Sequence, residues 1–382
     1  MLVRNRISLF LLSLAMGLAQ AHPSYPEYRV TIVGPPDSTP TDINQAGVVV
    51  SNVPTGITTS RAYISRGTGY REIVMPDSTS NRAVAINDKG VVLGNWTAAS
   101  GENRGFTFYR GTRRDIPPVP ARAGVFVDIN NAGYILTLAG PPPGAPTDIS
   151  PFAFLRAPNG SFRPIGILPY ENAINQAEAL NNRNQVTGES GTFFRPELPF
   201  NAYVWTNGVI RELPDLGYTP NYGLDINDRG QVSGYVAIAE FRQQRAALWS
   251  HGRLTLVDTR PDSAMPFSTG EALNNYGQVV GSANGGIGAF IYRGRRMESL
   301  QAKIDPTSGW GISFPRAIND AGQIAATGYR AGVAYAVRLD PIRPHLMAPP
   351  PLDEGSEAGP LLETTPAADA AQAQASAQPV TQ

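Results

Sequence analysis

The chain has 382 residues, of which 42% are hydrophobic and only 16% charged, a composition that supports a large core and excludes a mostly disordered chain. Its 31 basic residues balance 31 acidic ones, so the charge gives no reason to expect nucleic acid as a partner. Cysteine is absent, which excludes disulfides, zinc-thiolate sites, iron–sulfur clusters, cysteine nucleophiles and lipid attachment through an N-terminal cysteine.

The first element in the chain is a secretory signal, residues 1–21. Arg4 and Arg6 precede an apolar run from Ile7 to Leu18, and Ala19-Gln20-Ala21 supplies a small-x-small cleavage site. The run is about half of what spans a bilayer. The mature chain is expected to begin at His22, in the periplasm or cell exterior, with no stable membrane insertion after cleavage. A retained membrane anchor is the alternative.

From residue 42 one phrase recurs seven times. It opens as Asp42-Ile43-Asn44-Gln45-Ala46-Gly47-Val48 and returns with its first asparagine at Asn87, Asn130, Asn181, Asn227, Asn274 and Asn319. The spacings are 43, 43, 51, 46, 47 and 45 residues. An asparagine opening a type I turn accepts a backbone N–H two residues on, and a glycine three residues after it takes positive φ. Gly90, Gly133, Gly230, Gly277 and Gly322 hold that place in five later copies, and Asn184 holds it in the fourth, where asparagine is the best-tolerated substitute. Calcium is the competing reading of Asp225 to Gly230. It fails because Arg229 occupies a ligand place and position twelve is Val236.

Each repeat then carries an alternating apolar strand, such as Ala62-Tyr63-Ile64 or Ala202-Tyr203-Val204-Trp205. A tight turn follows, such as Asn207-Gly208 or His251-Gly252, and then a last strand: Arg71 to Val74, Ile210 to Leu213, or Leu254 to Val257. Together with abundant glycine (39) and proline (34), four strands per repeat of this length predict an all-β, seven-bladed β-propeller over residues 22–340. We name the strands of a blade A to D from the axis outward. The small residues Ala85, Ala179, Ala272 and Ala317 suit the crowded innermost strand. Tyr28 to Val33 matches a strand D, while the seventh repeat stops after its strand C, so the N-terminal strand is expected to close the ring and remove an open edge. The alternatives are an open solenoid or a ring of six or eight blades. Residues 341–382, rich in proline, alanine and glutamine, are expected to be a disordered tail.

The two phrases together resemble the HAF-family extracellular repeats, which pair a His-Ala-Phe strand with an Ile-Asn-x-x-Gly-Gln-Val-Val-Gly hairpin. Leu273 to Gly281 and Ile226 to Gly234 are the nearest copies, and the resemblance covers residues 28 to 340. The histidine position holds Arg61, Arg104, Phe152, Asn201, Arg245, Gly288 and Val333 instead. The resemblance implies a secreted, propeller-like protein and no particular reaction.

Catalytic constellations are lacking. Three histidines, His22, His251 and His345, lie far apart, so no Ser-His-Asp set, metal site or cofactor site is expected. Loop carboxylates remain: Glu102, Glu178, Glu189, Glu197, Glu240, Asp258 and Asp262. The A–B and C–D turns are short and share one face, here the turn face. The B–C and D–A connections vary and share the other, the loop face, where function usually resides. There Phe193, Phe194, Arg195, Glu197, Phe241 and Arg242, with Trp96 and Tyr222, suit stacking on sugars or anchoring a peptide. Equally, these aromatics can serve only to cover the blade tops. The sequence thus points to an exported binding or scaffold propeller with a glycan or protein ligand. The alternative is a carbohydrate-active hydrolase or lyase using loop carboxylates.

Overall fold

The computed structural model describes residues 26–120, 124–140, 152–169, 173–192, 200–238 and 243–343. The expected signal segment and the expected tail beyond Arg343 lie outside them. Among the described residues, 28 strands form seven antiparallel sheets of four. The innermost strands are Thr39–Ile43, Ser78–Ile86, Gly124–Ile129, Ile174–Leu180, Asn221–Ile226, Ser268–Leu273 and Gly311–Ile318. Each packs on the inner strands of both neighbours, the seventh on the first. This is a closed seven-bladed propeller, which excludes the solenoid and the other blade counts.

Closure uses the N-terminus as expected. Tyr28–Pro36 is the outermost strand of the seventh blade and pairs with Val333–Pro341, Tyr28 opposite Pro341 and Ile32 opposite Val337. Side chains reinforce the seam. Thr31 Oγ1 donates to Asp340 at 2.7 Å, and Arg338 Nη1 reaches the Gly47 carbonyl of the first blade at 2.6 Å. Three outer strands begin earlier than their apolar pattern suggests, at Gly69, Val209 and Arg253. Ile73, Leu213 and Val257, one residue past these strands, still donate in register to strand C, to the carbonyls of Ala62, Ala202 and Ala246 at 2.8 Å. Those alanines are fully buried, so a larger side chain has no room there.

The core lies between blades. Leu136, Leu155 and Ile165 of the third blade pack with Ala177, Leu180, Val186, Tyr203 and Trp205 of the fourth. Apolar residues flanking each asparagine phrase supply much of this, such as Val232 and Val279, both fully buried.

The recurrent turn forms as its chemistry dictates. Asn44 Oδ1 accepts the N–H groups of Ala46 and Val48 at 3.1 and 3.0 Å, and Gly47 donates to the Asn44 carbonyl at 2.9 Å. Gly47 has φ of 72° and Asn184, in the same place, 58°. The amide nitrogen of each asparagine does something the sequence did not suggest. Asn44 Nδ2 donates to the Asn87 carbonyl, Asn87 to Asn130, Asn130 to Asn181, Asn181 to Asn227, Asn227 to Asn274, Asn274 to Asn319, and Asn319 back to Asn44, all at 2.8–3.1 Å. A second ring lies one residue on. The N–H groups of Gln45, Asp88, Asn131, Asn182, Asp228, Asn275 and Asp320 each donate to the side-chain oxygen of the next member at 2.8–2.9 Å, Asp320 returning to Gln45. Two cyclic hydrogen-bond rings therefore encircle the axis at the turn face, around an open pocket of about 160 Å³.

The glutamine after the turn glycine has a matching role. Gln185, Gln231, Gln278 and Gln323 accept the asparagine amide of their own turn at 2.8–2.9 Å. Where Tyr134 stands in that place, Asn130 donates to Asn184 Oδ1 of the next blade instead, at 2.7 Å.

Two outcomes follow for stability. Deleting residues 28–33 exposes strand Val333–Pro341 as an open edge, so the shortened protein should melt at lower temperature and aggregate in light scattering. Gly90→Val should cost about 1–3 kcal/mol in chemical denaturation, because a β-branched residue resists positive φ. Asn184→Gly keeps the turn but loses the bond from Asn130, at about 1 kcal/mol.

Candidate functional site

The axis of the propeller is built by one irregularity repeated seven times. Every inner strand skips a residue in its pairing with strand B: Thr41, Val84, Val127, Glu178, Leu224, Glu271 and Arg316. A β-bulge re-aims the side chain it leaves unpaired, and all seven of these residues line the loop-side half of the axial channel, a space of about 220 Å³. Its wall carries Glu178 and Glu271. Glu271 pairs with Arg316 at 3.2 Å, and Gln176 Nε2 holds Glu178 at 3.1 Å. Burial raises the pKa of both carboxyls.

The next residue around the axis is Asp42, Ala85, Asp128, Ala179, Asp225, Ala272 and Ala317. Each aspartate accepts two backbone N–H groups: one from its own Ile43, Ile129 or Ile226, and one from Ile86, Leu180 or Leu273 of the following blade, at 2.7–2.9 Å. Desolvation outweighs these hydrogen bonds. It raises Asp42 well above the carboxylate range, Asp128 to about 7 and Asp225 to about 6. The sequence signal for this layer was the alternation of Asp with Ala before the Ile-Asn pair.

Phe193, Phe194, Arg195, Glu197, Glu240, Phe241 and Arg242 lie outside the described residues. Tyr222 is half-buried on the loop side of the fifth blade. Its ring stacks between Phe200 and Tyr235, with centroids 6.1 and 4.6 Å away. Against this stack sits Glu189 of the fourth blade, 6% exposed, with Oε2 buried and without a hydrogen-bond partner. Burial, then repulsion from Glu178, pushes its pKa to about 9, so it is a neutral acid at pH 7. Trp96 is apart from this group. It is 3% exposed in the second blade, and Arg104 and Arg113 cover its ring at 5.5 and 4.5 Å. Among the other carboxylates, Glu102 pairs with Arg104, Asp258 with Arg260 and Asp262 with Arg245. These ion pairs tie loops together. Among the described residues, no group of three or more histidine or acidic side chains could hold a metal ion.

The loop face shows a further feature that sequence reasoning missed. Leu216, Met265 and Phe314 all have positive φ, of 51°, 43° and 43°. All three are exposed, at 70%, 63% and 53%. Leu216 and Met265 lie in D–A connections, and Phe314 is a second bulged residue of the seventh inner strand. Each position combines a left-handed backbone with an apolar side chain in water. At Met265 that backbone caps a 3-10 turn, its N–H reaching the Asp262 carbonyl at 2.9 Å, but burial gains nothing from any of the three exposed side chains.

No family model matches the chain, and no curated protein matches it in sequence. Solved structures do. The β-propeller domain of the Trilobed protease from Pyrococcus furiosus is 9% identical, with a TM-score of 0.52 over 79% of this chain and 94% of that one. Virginiamycin B lyase from Staphylococcus aureus is 13% identical, with a TM-score of 0.50 over 82% and 99%. YCF48 bound to D1 peptide is 11% identical, with a TM-score of 0.50 over 85% and 98%. At such identity the likeness shows a shared β-propeller fold and nothing of activity.

The raised carboxyls make stability depend on pH. A carboxyl with a raised folded pKa stabilises fully below its unfolded value, and that stability is lost as pH rises through the folded value. Melting temperature should therefore fall from about pH 5 to pH 9. Glu189→Gln should lessen the fall over the whole range up to about pH 9, and most visibly above pH 7, where Asp128 and Asp225 no longer contribute. Melting curves of both proteins in a buffer series check this.

Proposed function

We propose that this chain is an exported binding protein whose loop face docks a protein partner in the periplasm or outside the cell. The observation that carries the reading is the display of Leu216, Met265 and Phe314 in strained, exposed positions on that face. Strain kept at a cost to stability is a mark of function, and exposed apolar anchors are what protein interfaces bury. Export rests on the basic, apolar and small-x-small order of residues 1–21. It is further supported by the resemblance of the repeat to HAF-family extracellular repeats. Among the described residues no helix is long and apolar enough to cross a membrane.

The competing reading is a carbohydrate-active hydrolase or lyase. Its best carboxylates are Glu178 and Glu271 at the loop-side channel, which share a wall and titrate high. Reducing-sugar release across a polysaccharide panel, abolished by Glu178→Gln, would establish it in place of docking.

Two experiments test the docking reading. Intact mass of the exported protein should show an N-terminus at His22. Leu216→Gly and Met265→Gly should each stabilise the propeller by about 0.5–1 kcal/mol, through relief of positive φ. Together with Phe314→Ser they should abolish site-specific photo-crosslinking of a discrete partner to the loop face. Val209→Ser with Ile342→Ser, exposed apolar residues elsewhere, should leave the crosslink intact. If the loop-face variant crosslinks as the wild type does, the reading is wrong.

A further inference from the structure

On the turn face, at the rim between the first and second blades, an open groove of about 480 Å³ is lined by Ile64, Arg66, Gly69, Tyr70, Arg71 and Arg110. It contains three cations and no acid. All three arginines are exposed, and none makes an ion pair or hydrogen bond to another described residue. Two are held in place by aromatic rings: Arg71 lies over Phe108 at 5.9 Å, and Arg110 over Tyr109 at 5.2 Å. Cation–π contact fixes a guanidinium while leaving its N–H fork open. Tyr70 is 43% exposed beside them, its ring edge-to-face with Tyr63 at 6.3 Å.

The charge continues along the rim. The neighbouring groove, between the second and third blades, is lined by Lys89, Arg114 and Arg156. Its one rim acid, Asp115, is already engaged by Arg113 at 3.0 Å. Two adjacent inter-blade grooves therefore present uncompensated cations in a protein whose formal net charge is zero.

We propose that this rim binds an anionic polysaccharide, with Tyr70 stacking on a sugar face and Arg66, Arg71 and Arg110 engaging its carboxylate or sulfate groups. Arginine forks match such planar or tetrahedral anions with paired hydrogen bonds. Cations in two neighbouring inter-blade grooves suit an extended chain rather than a single small ion. Nucleic acid is the lesser fit, because single strands require several exposed stacking rings and duplexes a strongly basic domain. The site is on the face opposite the docking surface and stands independently of it.

The test uses the mature, full-length protein and biolayer interferometry. Immobilised polygalacturonate, dextran sulfate, uncharged dextran and duplex DNA are compared at about 50 and 300 mM NaCl, where screening differs strongly. The wild type should bind one or both anionic polysaccharides, more weakly at high salt, and should ignore dextran. Arg66→Gln with Arg71→Gln and Arg110→Gln should weaken binding at least ~tenfold at an unchanged melting temperature, and Tyr70→Ala should weaken it several-fold. The control replaces Arg29, Arg211 and Arg253, exposed elsewhere, with Gln and should change affinity less than ~twofold. Polygalacturonate against dextran sulfate separates carboxylate from sulfate recognition. The proposal is overturned by no binding to either polymer at low salt, by equal losses in the two triple variants, or by tighter binding to DNA.

Discussion

The propeller depends on a hydrogen bond that runs between blades rather than within them. Each turn asparagine uses its oxygen to fold its own hairpin and its amide nitrogen to grip the next hairpin. One side chain thus links local conformation to ring closure. Because the bonds form a cycle, the last blade satisfies the first: Asn319 donates to Asn44. No blade can leave without orphaning a buried donor on one side and a buried carbonyl on the other, a cost several times the net worth of a made bond. A chain without cysteine can close a ring of this size because closure is distributed over seven equivalent contacts, with the seam strand Tyr28–Pro36 as the outer complement.

The aspartate layer extends the same logic to groups that the bulges leave unpaired. Seven inner strands each present one Ile or Leu N–H near the axis, and buried N–H groups require acceptors. Three aspartates satisfy six of them by accepting from their own blade and the next. Alternation with alanine avoids placing two acids in adjacent blades, where repulsion would add to desolvation. An odd ring cannot alternate throughout. The break falls at Ala272 and Ala317, beside the seam, where the seventh bulge presents Arg316 to the channel and Arg316 pairs with Glu271.

Much of this was legible in the sequence. The Ile-Asn-x-x-Gly phrase implied the hairpins, its count gave the blades, and the mismatch between a surplus first strand and a missing last one implied the closure. The amide half of the asparagine was not legible, since a turn explains the residue without it. The glutamine after the glycine, Gln185 or Gln231, likewise gains its role only once its distance to the asparagine amide is known. The site was harder still. Glu178, Glu271 and Arg316 line the channel because a bulge turned them there, and a bulge leaves no mark in a strand pattern of period two. Leu216 and Met265 read as ordinary loop residues until their backbone conformation is seen.

The division of labour between the faces follows from these constraints. The turn face spends its asparagines, aspartates and glutamines on the two rings, so residues such as Asp88, Asp228 and Asp320 serve closure. What is left free there lies at the rim, on C–D hairpins and outer strands, which is where the unpaired arginines gather. The loop face carries no ring. The inner strands carry bulges, two residues before their turn-face ends, whose identities differ from blade to blade: Thr, Val, Val, Glu, Leu, Glu and Arg. Changes there leave the two cyclic rings intact, because those bonds lie in the A–B turns. A repeat protein that locks one face by repetition is free to break the repetition on the other, and the residues that depart from the repeat are those to examine for a ligand.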